Sequence, residues 1–140
     1  MAPSRSAFFY AVVRVVPDIE REEFLNSGLI LFCRPRRYLV ARTNLDADAL
    51  RALRPDCELD AIREQLRFIE EIASGRVPAS PFADMSQSER FGWLTTPRST
   101  LVQPGPLHAG TTPDPAATFE HLYALLVERQ SSVSRTSAPT

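Results

Sequence analysis

The 140-residue chain is predicted to form one α+β domain, in which a small, mostly antiparallel sheet of about four strands has helices packed on one face. The N-terminal third alternates like strands, and the middle repeats apolar residues every three or four positions like helices. The regular strand–helix alternation of a doubly wound fold is absent. The domain is expected to span residues 8–129, between disordered residues 1–7 and a disordered, Ser/Thr-rich tail at 130–140.

Three strands are predicted near the N-terminus. Residues 8–16 are largely apolar on both faces, which is typical of a central strand. A short helix is expected next, capped by Asp18 and ending near Leu25. Residues 29–33 and 38–41 then indicate a hairpin packed beside the first strand.

Helices dominate the rest of the predicted fold. Asp46 and Asp56 are expected to cap two helices, and the second carries an apolar stripe that ends at Gly75. Residues 76–89 are predicted to form a long loop, and residues 99–103 an edge strand. A Gly/Pro-rich passage then leads to a last capped helix.

Composition excludes several kinds of chemistry. All 16 basic residues are arginine, so a lysine nucleophile, a lysine base and a phosphate-loop lysine are excluded. Metal-ligand spacings and a glycine-rich phosphate loop are absent, so neither a metal nor a cofactor is expected.

Cys33 and Cys57 are expected to be buried, reduced thiols. The net charge of −1 argues against a nucleic-acid or membrane partner, and the lack of a signal segment predicts a cytoplasmic location.

Four polar residues stand out beside the predicted N-terminal strands, namely Arg14, Arg21, Glu23 and Asn26. An arginine within an apolar strand usually reaches the rim of the sheet or is held by a carboxylate. One hypothesis is therefore an Arg14–Glu23 ion pair, with Asn26 satisfying the backbone of the turn. The other is an anion-binding rim made by Arg14, Arg21 and Arg98.

A second candidate surface lies between residues 90 and 108. Arg90, Trp93 and Arg98 are of the residue types that anchor protein interfaces, although the tryptophan could instead close an edge of the core. His108 lies in the Gly/Pro-rich passage. It could transfer a proton if the fold supplied a carboxylate partner, for which Glu23 and Asp114 are the candidates.

Two sequence blocks carry a resemblance to a known family. YAVVRVVPDIEREEFLNSGLILF and RFGWLTTPRSTLVQPGPLHAG resemble the bacterial family called domain of unknown function 3037, and the likeness covers roughly residues 8–129. The residues that match its motifs are Arg14, Glu23, Phe24, Asn26, Arg98, Ser99, His108 and Gly110. The resemblance implies an accessory or regulatory role beside a HipA-like kinase, because genes of the two kinds often stand side by side.

Two functions therefore remain open. The first is a non-enzymatic accessory module that binds another protein, with a HipA-like kinase as the implied partner, through the surface at residues 90–108 and the predicted loop before it. The second is a small enzyme or ligand-binding domain whose arginine rim holds a phosphorylated or carboxylated molecule, and it requires Arg14 and His108 to share one face. The sequence favours the first, because it contains no recognisable nucleophile, metal set or cofactor cradle.

Overall fold

The computed structural model describes residues 4–77, 80–98 and 100–128, and it confirms the α+β class. The strands are β1 (Ser6–Asp18), β2 (Glu23–Cys33), β3 (Tyr38–Thr43), β4 (Val102–Pro104) and β5 (His108–Thr112). The helices are α1 (Ala47–Leu53), α2 (Leu59–Ser74), α3 (Gln87–Leu94) and α4 (Pro115–Tyr123), and the π-helical turn Ala124–Glu128 continues α4. Each helix in these ranges is too short or too polar to cross a membrane.

Strand β1 lies at the centre of an antiparallel sheet. On one side it pairs with β2, and β3 lies beyond β2. On the other side β5 pairs with the first half of β1 and β4 with the second half. These two short strands share one edge, and between them the Gly105 N–H donates to the Val12 carbonyl at 2.7 Å. Strand β1 is therefore hydrogen-bonded on both sides over most of its length.

Helices cover both faces of the sheet, so the prediction of helices on a single face is wrong. On one face, called the α2 face, α1, α2 and α3 pack over Val13, Val15, Ile30 and Phe32. On the other, called the α4 face, α4 and the π-helical turn pack over Phe8, Leu29, Leu31 and Cys33. Because successive strand residues point to opposite faces, the continuous apolar run in β2 serves both cores.

A bulge in β2 changes the alternation of its side chains. Val13 of β1 pairs with Gly28, whereas Arg14 pairs with Asn26, so Ser27 has no partner on β1. An unpaired extra residue of this kind redirects the side chains on either side of it. Ser27 itself is fully buried.

The bulge directs two side chains to the α4 face. Leu25 packs against the core of the α2 face, so its neighbours Phe24 and Asn26 point the other way, beside Arg14. The Asn26 amide then donates to the carbonyl of Leu126 in the π-helical turn, at 3.1 Å. Strand β2 is thereby tied to the C-terminal helix.

The short helix predicted from Asp18 to Leu25 is wrong. Asp18 does cap a turn, but the turn is the single 3₁₀ segment Ile19–Arg21, and β2 already begins at Glu23. Glu22 has a φ of 57°, in the left-handed region that reverses the chain within a few residues. Pairing with β1 thus prevails over the helical tendency of this charged segment.

The loop predicted at 76–89 also contains regular structure. A 3₁₀ turn covers Pro81–Asp84, and α3 begins with a capping box in which Ser86 and Glu89 satisfy each other's backbone N–H groups. The hydrogen bonds from Ser86 lower the pKa of the Glu89 carboxyl. Residues 80–89 therefore lead through a 3₁₀ turn into α3.

The predicted helix ends are confirmed in three cases. Asp46 and Asp114 accept hydrogen bonds from the first turns of α1 and α4, and Gly75 ends α2 with a φ of 79°. The cap predicted for α2 is wrong, because Asp56 pairs with Arg54 and the helix begins only at Leu59.

Two outer segments were predicted to be disordered. Strand β1 begins at Ser6, inside the predicted segment 1–7. The predicted tail at 130–140 lies outside the described residues.

We expect Gly28→Ala to lower the free energy of unfolding by about 1–3 kcal/mol. A Cβ atom there would lie 2.8 Å from the Arg42 carbonyl oxygen and 2.9 Å from Thr43 Cγ2, which would push β3 away from β2. The matched control is Gly92→Ala on the exposed side of α3, where a Cβ would meet nothing within 4 Å. That change should stabilise the helix by about 0.5–1 kcal/mol. Urea-unfolding midpoints test the pair, and equal midpoints would contradict the expectation.

Candidate binding site

The Arg14–Glu23 ion pair predicted from the sequence does not form. Glu23 pairs with Arg21, beside the 3₁₀ turn. The hydrogen bond to Glu23 and the charge of its carboxylate raise the pKa of Arg21. Asn26 binds Leu126 and does not satisfy a turn, so both contacts of that hypothesis are wrong.

Arg14 is held by packing. Its Cζ lies 4.1 Å from the centroid of the Phe24 ring, which is a cation–π contact. Gly105 lies against the same guanidinium, because a Cβ placed there would be 3.1 Å from Nε and 3.2 Å from Cζ. Nε is buried, and within the described part of the chain it has no hydrogen-bond partner.

The three arginines of the predicted rim do not come together. Arg14 lies on the α4 face beside Phe24. Arg98 lies on the α2 face, where it lines a cavity together with Ile69. Arg21 is bound to Glu23. The single anion-binding rim is therefore wrong as predicted.

His108 does share the α4 face with Arg14, as the ligand-binding hypothesis requires. It pairs with Tyr10 across β1 and β5, and the two rings stack with their centroids 5.0 Å apart. The carboxylates proposed as its partners are engaged elsewhere: Glu23 binds Arg21, and Asp114 caps α4. The described residues thus give His108 an aromatic neighbour and no acid–base partner.

Arg90 is a structural residue at the end of α2. It is only about 9% exposed, and its Nη1 donates to the carbonyls of Ile72 at 2.8 Å and Ala73 at 3.2 Å. Gly75 leaves room for it, because a Cβ there would lie 2.8 Å from Nη1. Arg90 thus adds a charged donor to two carbonyls in the last turn of α2, one of which, that of Ile72, also accepts from the Gly75 N–H. It does not contribute to an exposed contact surface.

Trp93 and Arg98 form part of an aromatic-walled cavity on the α2 face. The Trp93 ring packs edge-on against Phe82 and Phe68, with centroid distances of 4.7 and 6.2 Å. Arg98 lies over the Trp93 ring, with Cζ 4.0 Å from its centroid, and donates to the Trp93 carbonyl. The cavity has a volume of about 250 Å³. It is completed by Gln65, Phe68 and Ile69 of α2 and by Thr100 and Val102.

Arg98 lacks a carboxylate partner among the described residues. Burial lowers its pKa, because desolvation penalises the charged form. An arginine nevertheless keeps its charge at neutral pH. The cavity therefore combines apolar walls with a partly desolvated cation, which suits an apolar group that carries a carboxylate.

Sequence reasoning identified Trp93 and Arg98 and missed the two phenylalanines. Phe68 lies outside the apolar stripe of α2 and is 38% exposed, and Phe82 falls in the segment that was predicted to be a loop. An aromatic residue off the buried stripe of an amphipathic helix was the available signal. Ser99 lies outside the described residues. The described residues contain no cluster of potential metal ligands.

These observations define a small α+β domain with an aromatic-walled cavity that Arg98 lines. The chain belongs to the family described as "Protein of unknown function (DUF3037)", whose model matches residues 10–127. The resemblance carried by the two sequence blocks is thus confirmed over most of the chain. No curated protein and no solved structure matches it.

We expect Arg90→Met to lower the free energy of unfolding by about 1–3 kcal/mol, because the carbonyls of Ile72 and Ala73 lose their hydrogen bonds to a charged donor. Arg67→Met is the matched control, since Arg67 lies on the exposed side of α2, the helix whose end Arg90 contacts. Its effect should stay within about 0.5 kcal/mol. Urea unfolding at neutral pH measures both changes. An equally small effect at Arg90 would show that its hydrogen bonds do not support the fold.

Proposed function

We propose that the protein is a non-enzymatic interaction module that binds a partner protein through the Trp93–Arg98 cavity. The observation that carries this proposal is the partly desolvated guanidinium of Arg98, which lines an apolar cavity and has no carboxylate partner among the described residues. A charge-assisted hydrogen bond to Arg98 would be stronger than one between neutral groups.

The size and lining of the cavity favour a protein segment over a cofactor. Pockets for small molecules and cofactors commonly measure about 300–1,000 Å³, and this cavity is smaller, at about 250 Å³. Tryptophan and arginine are enriched among the residues that contribute most to protein–protein affinity. We therefore infer that the occupant is an aliphatic or aromatic side chain that lies next to a carboxylate.

A HipA-like kinase is the first candidate partner. The support for it is the association implied by the family, and the cavity adds the chemical requirement of an apolar group beside an acidic one. The protein would then have an accessory or regulatory role in the bacterial cytoplasm. The segment of the kinase that binds should be exposed and should contain that pair of groups.

A ligand-binding function is the second candidate, and the observation that favours it is the buried Nε of Arg14, which has no hydrogen-bond partner among the described residues. Because Arg98 lies on the other face, Arg14 would bind an anionic group without it. Neither candidate function requires an enzymatic activity.

We expect Arg98→Gln to weaken partner binding at least about tenfold, because a charge-assisted hydrogen bond contributes roughly 1.5–3 kcal/mol. The matched control is Arg67→Gln, which makes the same chemical change on α2 at a residue that does not line the cavity. The tagged protein and both variants are purified from the native host at moderate salt. Any protein that co-elutes in stoichiometric amount is then titrated calorimetrically against all three.

A partner whose affinity falls only for Arg98→Gln would support the proposal. Equal affinity for both variants would assign the partner to another surface. The absence of a stoichiometric partner would contradict the interaction-module function and favour the ligand-binding one.

A further inference from the structure

We propose that Arg14 binds the oxyanion group of a small molecule, a phosphate or a carboxylate, on the α4 face. This site is independent of the Trp93–Arg98 cavity, which lies on the opposite face.

Arg14 carries a charge that has no acceptor among the described residues. A guanidinium is permanently protonated in proteins, and it has five N–H donors to satisfy. None of these donors has a hydrogen bond or ion pair to the described residues. A partly buried cation in this state is stabilised by any anion that reaches it.

The neighbours of Arg14 in the sheet supply no anion. Asn26 and Gln103 lie opposite Arg14 on the two adjacent strands, and both carry neutral amides. Their amide nitrogens donate to the carbonyls of Leu126 and Thr100. The nearest carboxylate along β2, that of Glu23, is bound to Arg21.

Packing fixes the guanidinium of Arg14 in position. The Phe24 ring stacks on it, and the missing Cβ of Gly105 makes room for it. Nε is closed to solvent, whereas the residue as a whole is partly exposed, so the terminal nitrogens are left to bind a ligand. A donor that is already held in place loses little entropy on binding, which favours affinity.

The chemistry defines the ligand as an oxyanion that accepts two N–H groups from the end of the guanidinium. Both phosphate and carboxylate oxygens fit this requirement. The experiment must therefore offer the two separately.

The test is an NMR titration of the ¹⁵N-labelled protein with inorganic phosphate and, separately, with acetate, each compared with sodium chloride at equal ionic strength. The cross-peaks of Arg14 Nε–H and of the Gly105 backbone amide report on the site. We expect saturable shifts with at least one of the two anions. Saturation with phosphate alone assigns a phosphorylated ligand, saturation with acetate alone a carboxylated one, and saturation with both a general oxyanion site.

Two variants and one control make the titration decisive. Arg14→Gln should weaken the apparent affinity, read from the Gly105 amide, at least about tenfold. Gly105→Ala keeps the charge, but its methyl group displaces the guanidinium, and it should weaken binding read at Arg14 to a similar extent. If Arg14→Gln does not fold, Gly105→Ala still tests the proposal. Arg21→Gln removes an arginine that is paired with Glu23, and it should leave the affinity unchanged.

The proposal is overturned if neither anion gives a saturable shift beyond that of chloride. It is equally overturned if the affinity survives Arg14→Gln and Gly105→Ala, because the anion would then bind elsewhere. Since none of these measurements involves the Trp93–Arg98 cavity, they succeed or fail separately from the capture of a partner protein.

Discussion

The pairing of β1 on both of its sides is the constraint on which the rest of the structure depends. A strand hydrogen-bonded along both edges lies in the interior of the sheet, and its apolar side chains require cover on both faces. Helices α2 and α3 cover one face, and α4 covers the other. Arg14 is the charged exception within this strand, and it is tolerated because it is only partly buried and packs against an aromatic ring.

The bulge at Ser27 determines to which face of the sheet the preceding side chains of β2 point. With uninterrupted alternation, the side chains that precede Ser27 would point to the opposite face, and Arg14 would lose its contact with Phe24. The two candidate sites consequently lie on opposite faces of one sheet and share no residue. Substitutions at sites without shared partners usually have additive effects, so the two functions can be dissected independently.

The features that the sequence could predict depend on interactions between residues that are close together in the chain. The central strand, the hairpin and the capped ends at Asp46 and Asp114 depend on neighbouring residues, and the structure confirms them. The capping box at Ser86 was equally readable and was overlooked within a Pro- and Ser-rich segment. Several other errors concern contacts between distant parts of the chain. Strand β5 has little apolar character and exists because β1 pairs with it, and Arg90 is buried because the end of α2 lies beside it.

The same long-range pairing affects how the protein acquires its structure. Arg5, just before β1, bonds to Thr111, which lies 106 positions further along the chain. During synthesis on the ribosome, one edge of β1 therefore stays unpaired until β4 and β5 have emerged. Until then a strand that is apolar on both faces has an open edge, and such edges are prone to pair with other chains. Because non-local contacts form slowly, this edge of the nascent sheet is open to pairing with other chains until β4 and β5 arrive.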